Sequence, residues 1–525
     1  MGKYRIQQLK LATWESHNDI PQKIVKKIGN RDLIVTDYEI VRESIDARDK
    51  NDIKLVYTVD FNVVTRQRPR DLANIPLNSK TGVSLAPDMT YEEPEHGSTE
   101  LKNRPVVVGF GPCGMFAALT LAKHGYRPVV IERGNSIDKR TEDVEKFWNE
   151  GILNTESNVQ FGEGGAGTFS DGKLTTGIKD PRIRKVLNEF VKAGADKDIL
   201  YKQKPHIGTD VLRGVVKEIR KEIISLGGEV RFGTRFEEVN TKDRKVTGIV
   251  VNGPEGKEEI PTENLVIAIG HSARDTFRYL YDRGIKMHQK PFSIGVRIEH
   301  PQEMVDRGQY GNNKDLPPAD YKLSYHGSNG RGVYTFCMCP GGEVITASSQ
   351  EGMVVTNGMS NRARNSGTAN SALLVDVRTE DFGSTHPLAG VMFQEKYEKL
   401  AFENGGRDYT KPETTWGEFK NNSESAQPVI NSLPEFATES IREAMPHLGR
   451  KLKGFDNDDA VMTAVETRSS SPVRFLRNEM MEGTFEGFYP AGEGTGYAGG
   501  IMSAACDGIK VAEKIIGKYA SFENK

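Results

Sequence analysis

The chain has 525 residues, beyond the length at which one hydrophobic core usually stops growing, so two or three domains are expected. Its 71 lysines and arginines against 73 aspartates and glutamates leave a net charge of −2, which excludes a globally basic protein that would attract nucleic acid or an anionic membrane. Four scattered cysteines exclude a disulfide framework, and no apolar run reaches the roughly 18 residues of a membrane-spanning helix.

No secretory leader is read at the start, and Met1-Gly2-Lys3-Tyr4-Arg5-Ile6 lacks the hydroxyl residue of a myristoylation signal, so a cytoplasmic protein is expected. Residues 1–64 read as a small α+β domain: a strand over 4–11, a helix over 20–28 and a long hairpin whose tip spans 46–52. Tyr57, Val59, Phe61 and Val63 alternate with Thr58, Asp60 and Asn62, the period of a strand with one buried face. The charged tip is expected to be simply solvated. Residues 65–103 contain Pro69, Pro76, Pro87 and Pro94 without an apolar period and read as an extended connecting arm.

Beyond the arm, apolar strands alternate with helical stretches, the pattern of a parallel α/β sheet. Val106-Val107-Val108 runs into Gly109-Phe110-Gly111-Pro112-Cys113-Gly114, then a helix over 115–124 and a second strand over 128–131. In this Gly-x-Gly-x-x-Gly pattern Gly109 permits the tight turn, Gly111 the approach of a pyrophosphate, and Gly114 close packing of helix on strand. The helix start then offers free N–H groups and a positive dipole end to the phosphates. Glu132, followed by Arg133, ends the second strand at the spacing of an acid that accepts hydrogen bonds from an adenosine ribose. A dinucleotide-binding unit is therefore expected.

Two later segments direct the choice of dinucleotide toward FAD. A meander through 246–251 leads to Leu265-Val266-Ile267-Ala268-Ile269-Gly270, similar to the Ala-Thr-Gly strand end of glutathione-reductase-type FAD folds, with Ile269 in place of Thr. Gly487-Phe488-Tyr489-Pro490-Ala491-Gly492-Glu493 resembles their returning Gly-Asp segment, with Glu493 in place of Asp, and Gly499-Gly500-Ile501 opens a helix toward the flavin. Together with residues 162–174, 204–210, 295–300 and 336–342, these motifs resemble a bacterial family of uncharacterised FAD-dependent dehydrogenases over nearly the whole chain. The resemblance implies an α/β protein: a glutathione-reductase-type FAD-binding domain from 104–290 and 475–525, with an inserted α+β substrate-covering domain at 291–474.

Gly164, Gly165 and Gly167, in the loop over 162–174, are expected to lie against the flavin ring. Lys173 is a candidate for stabilising the anionic reduced flavin, with an exposed loop lysine as the alternative. Arg468 reads as a carboxylate clamp or a structural ion pair, and His271 as an acid or base or a helix-capping residue. Cys337-Met338-Cys339 invites a redox-dithiol reading, but the two cysteines are read as strand-packing residues, on the expectation that they point to opposite faces and that a disulfide between them would be strained. No metal site is expected, because the cysteine spacing and the absence of His-Glu-x-x-His leave no ligand set. A second Gly-x-Gly-x-x-Gly unit is missing, so NAD(P)H is expected only as a transient electron donor, with a donor protein as the alternative. The expected activity is hydride transfer between flavin N5 and a carbon centre of a small-molecule substrate. FAD-dependent RNA modification and a non-catalytic flavin scaffold are the alternatives, and oligomeric state is left open.

Overall fold

The computed structural model describes residues 3–522; Met1 and Gly2, the first residues of the segment read for lipidation, lie outside them. The alternation read at 57–63 belongs to the strand Lys54–Thr65, the centre of an antiparallel N-terminal sheet. Leu33–Asp46 pairs on one side of it, and Tyr4–Ala12 followed by Val83–Leu85 on the other. Tyr57, Val59, Phe61 and Val63 are buried with Ile20 and Ile24 of the helix Ile20–Ile28. Burial on one face explains why alternate positions are apolar.

The stretch expected to be a bare arm contributes structure. Arg68–Leu72 and Val83–Leu85 are strands of the N-terminal sheet. Residues 91–99 then run beside the helix Ile501–Lys518: the Gly97 N–H donates to the Ile516 carbonyl at 2.8 Å and the Tyr91 hydroxyl to Glu513 at 2.5 Å. Prolines at strand edges and starts cost no ladder bond, so their presence did not exclude strands. The hairpin tip is also engaged, with Lys50 Nζ donating to the Gly308 carbonyl at 2.8 Å.

A five-stranded parallel sheet follows, in the spatial order Phe488–Pro490, Leu265–Ile267, Val106–Val108, Val129–Ile131, Glu229–Arg231. Its other four strands read as continuous apolar runs because both faces are covered, whereas the edge strand Glu229–Arg231 is half-buried and carries two charges. Val107, Val130, Val266 and Tyr489 point into the cluster under the helices Pro112–Lys123 and Ile501–Lys518. Val106, Val108, Ile131 and Ile267 point the other way, against Phe236, Val239 and Ile249 of a three-stranded meander over 235–261.

The third body is a six-stranded antiparallel sheet in the order Ser324–His326, Gly332–Cys339, Thr368–Val377, Phe292–Pro301, Val461–Glu466, Glu413–Thr415. Ile294, Val296 and Ile298 bury against helices such as Glu435–Lys451. The two-residue period therefore turns Gly295 and Arg297 to the opposite face, toward the parallel sheet.

Candidate functional site

A cavity of about 380 Å³ lies beyond the carboxyl ends of the parallel strands and is closed by residues of the six-stranded sheet. Such a position is where open α/β sheets bind ligands. One end is lined by Gly109, Gly111, Pro112, Glu132, Arg133 and Phe236; the other by Lys173, His271, Cys337, Glu466, Arg468 and Glu493.

The glycines at the first end divide into two kinds. Gly109 has φ +97°, and a β-carbon there would lie 2.4 Å from the Ala268 carbonyl oxygen. A β-carbon on Gly114 would lie 1.9 Å from the Gly109 oxygen. The fold itself requires both. Gly111 is different: its φ is −77°, and the nearest atom to a β-carbon would be Gly165 Cα at 3.7 Å. Gly499 and Gly500, at the far end of the same cavity, also have open space where a β-carbon would stand, without a left-handed backbone. These three glycines leave room that nothing in the protein occupies. The helices Pro112–Lys123 and Ile501–Lys518 both begin here without a side-chain cap, so their first N–H groups face the cavity as anion donors. Room, backbone donors and two positive helix ends suit a long, flat, diphosphate-bearing cofactor.

Glu132 sits where the spacing predicts, and most of its acceptor capacity is used within the protein. It accepts from the backbone N–H of Phe110 at 2.8 Å, Gly134 at 2.9 Å and Gly162 at 3.0 Å. A carboxylate has about four acceptor directions, so one remains for a ribose hydroxyl. Arg133 stacks over the Phe161 ring and forks between Glu156 and Asp275. Gly165 packs its Cα against Gly111, which brings the loop over 162–174 alongside the dinucleotide loop.

The far end is built from side chains. His271 Nδ1 lies 3.5 Å from Glu493 Oε1. Burial, with the charges of Arg468 and Arg274 adding, lowers the imidazole to about 3. Burial raises the Glu493 carboxyl to about 7, against the opposing charge of Lys290. Near neutral pH this is a neutral imidazole beside a carboxyl poised to exchange a proton. Lys173 is half-buried on the same wall and forms no ion pair among the described residues, leaving its charge available to an anion.

Arg468 lines the cavity, but its guanidinium is committed elsewhere. It forks onto Glu398 at 2.8 and 3.1 Å and donates to Ser272 and Ser349. Arg274 forks onto the same carboxylate from the other side, at 2.7 and 2.8 Å. Of the other expected residues, Cys113, Gly167, Gly270 and Ile501 line the cavity. Gly114, Gly164 and Gly492 stand behind it: a β-carbon on Gly164 would strike Thr168 Oγ1, and one on Gly492 would strike Cys113.

Sequence reasoning missed part of this wall. Glu466 faces the cavity, and Arg297 behind it forks onto its carboxylate at 2.7 and 2.9 Å and bonds Asn357, Asn370 and the Cys337 carbonyl. The alternation of Ile294, Val296 and Ile298 with Arg297 was the available signal. Cys337 also lines the cavity. The expectation of opposed faces for Cys337 and Cys339 was incorrect, since residues two apart in a strand share a face.

A family profile described as "FAD-dependent protein, C-terminal domain-like" matches residues 291–469, and one for a domain of unknown function matches residues 3–62. An uncharacterized protein of Clostridium beijerinckii is 49% identical, over 98% of this chain and 99% of its own length. Among solved structures, glycine oxidase from Bacillus cereus is 12% identical with a TM-score of 0.36, over 80% of this chain and 96% of that one. L-proline dehydrogenase from P. horikoshii is 14% identical with a TM-score of 0.35, over 79% and 93%. The full-length relative and the family profile place the chain, and the profile's description gives FAD as the cofactor. The protein belongs to the family of FAD-dependent proteins that carry this C-terminal domain.

Proposed function

We propose that FAD lies along the cavity and that the protein is an oxidoreductase moving a hydride between the flavin and a carbon centre of a small substrate. The adenosine end would meet Glu132 and Phe236, the diphosphate would meet Gly111 and the start of the helix Pro112–Lys123, and the flavin would meet Gly499–Ile501 at the start of the other helix. Residues 104–290 and 475–525 then hold the cofactor, and residues 291–474 cover it. When bound, FAD supplies two-electron hydride donation and acceptance.

The observation that carries this reading is the juxtaposition, in one cavity, of three glycines the fold does not need and a His271–Glu493 pair near a half-buried, unpaired lysine. Glu493 holds or releases the proton that must accompany a hydride at carbon, and neutral His271 beside it keeps that exchange within the wall. Lys173 favours negative charge developing in the cavity. A second cavity of about 510 Å³ shares Phe336, Ser469 and Gly499 with the first and provides the approach for substrate.

The test is anaerobic mixing of the reduced holoprotein with a panel of activated alkenes, unsaturated carboxylates and oxidised nicotinamides while flavin absorbance is followed. Reoxidation by one carbon substrate class is expected. A flavin that exchanges electrons with none of them would sink the reading.

A further inference from the structure

The strand Gly332–Cys339 ends in Phe336-Cys337-Met338-Cys339. In a straight strand, residues two apart have Cα atoms about 6.6 Å apart, which lies within the span of a disulfide. This strand is not straight: its pairing with Thr368–Val377 slips between Phe336 and Cys339, and Cys337 adopts a left-handed φ of +45°. That conformation is costly for a residue with a side chain and tends to mark functional positions. The hydride-transfer reading makes no use of it.

The local geometry brings the two thiols together. Cys339 is fully buried, and its Sγ donates to the Cys337 carbonyl at 3.4 Å. Cys337, two residues earlier, faces the cavity and is half-buried. Arg297 Nη1 fixes the Cys337 carbonyl at 2.9 Å. The hydrogen bond from Cys339 lowers the Cys337 thiol well below its ordinary value against the opposing effect of burial, and the charges of Lys173 and Arg297 act in the same direction. Cys339 is displaced upward, by Cys337 first and by burial second. A thiolate beside a thiol is the form that makes and breaks disulfides. Cys113 and Cys506, in contrast, sit on packed helices with their thiols pushed up by burial.

We propose that Cys337 and Cys339 form a redox-active dithiol in the wall of the FAD cavity, closing to a disulfide as two electrons pass to the oxidised cofactor. In the forward direction the Cys337 thiolate and the Cys339 thiol become one S–S bond. The two electrons and the Cys339 proton go to oxidised FAD, and the reverse flow reopens the pair. The proposal rests on FAD occupying this cavity and adds a two-electron store, with thiols or disulfides of small molecules as its exchange partners.

The experiment uses the holoprotein, its FAD content set by absorbance. Oxidised with ferricyanide, freed of the reagent and titrated anaerobically with dithionite, the wild type is expected to take four electrons per FAD. Cys337→Ser and Cys339→Ser are each expected to take two. Residues 332–362 form one tryptic peptide containing both cysteines and no other, so the oxidised wild type should yield that peptide lighter by two hydrogen atoms and resistant to alkylation. This mapping requires no variant to fold. A two-electron titration with both thiols still alkylatable overturns the proposal, as does a disulfide that forms without adding electrons to the titration. Failure of the FAD placement would show separately, as FAD content indifferent to a side chain at Gly111, while the peptide mass still reports the state of the thiols.

Discussion

At the glycine-loop end, the cavity wall is backbone: the N–H groups of one helix start, the open Gly111, and one carboxylate, Glu132, that clamps three peptide groups. At the covering-sheet end it is charged side chains, and apart from Lys173 the cations are held by carboxylates far away in sequence. Arg297 lies 169 residues from Glu466, and Arg274 lies 124 residues from Glu398. The first end is shaped by what is left out and tolerates little added volume. The second is shaped by neutralised charge and tolerates no missing partner.

The sharpest way to break that contrast is to remove a partner. Glu398 is fully buried between Arg274 and Arg468. Glu398→Ala leaves two buried guanidiniums uncompensated and is expected to cost about 3–5 kcal/mol in urea unfolding. An unchanged midpoint would mean that the network does not depend on its acid. Burial pushes the Glu398 carboxyl up, but the two arginines outweigh it and hold the group well below its ordinary 4.5. Its folded-state value is depressed, so its stabilisation is present above pH 4.5 and is lost as pH falls toward the folded value. Acid unfolding monitored by circular dichroism should show that loss, and Glu398→Ala should flatten it.

Next in size is Glu493→Gln, expected to slow substrate-driven flavin reoxidation by about a hundredfold, the scale of a lost proton donor. The wild-type rate should change protonation regime near pH 7, where the raised carboxyl titrates. The variant should lose that inflection. Because the folded-state value is raised, the stability this carboxyl contributes is complete below 4.5 and is lost as pH rises through about 7.

Gly111→Ala tests the backbone end. Its φ of −77° admits alanine and no protein atom obstructs the β-carbon, so folding should be unaffected. Intrusion on the cofactor is expected to weaken FAD by about tenfold, roughly 1.4 kcal/mol. Equilibrium dialysis would measure it, and equal affinity would remove Gly111 from the site. The smallest effect belongs to the hairpin tip: Lys50→Ala removes one exposed hydrogen bond to Gly308 and should shift stability by no more than about 0.5 kcal/mol.

The same contrast explains what could be read from the sequence. The first end was legible because the glycines, the helix and Glu132 follow one another within one βαβ unit, where chain order and spatial order coincide. The parallel strands were legible from apolar runs covered on both faces. Arg468 stood out, but its sequence neighbours carry no sign of Glu398, and the choice between clamp and ion pair lay with that partner. Cys337 was assigned to strand packing because strand period was misapplied and because a bulge leaves no mark in composition. The strands after residue 65 were hidden by prolines, which punctuate edge strands as readily as loops.

One consequence of the sheet order concerns timing during synthesis. The strand Phe488–Pro490 is the neighbour of Leu265–Ile267, and the loop after it supplies Glu493 and Gly499–Ile501 to the cavity. A nascent chain can form the Gly109–Glu132 turn early, yet Glu493 and Gly499–Ile501 join the cavity only after more than 350 further residues have left the ribosome. Completing the cofactor cavity in this architecture is therefore a late step of chain synthesis.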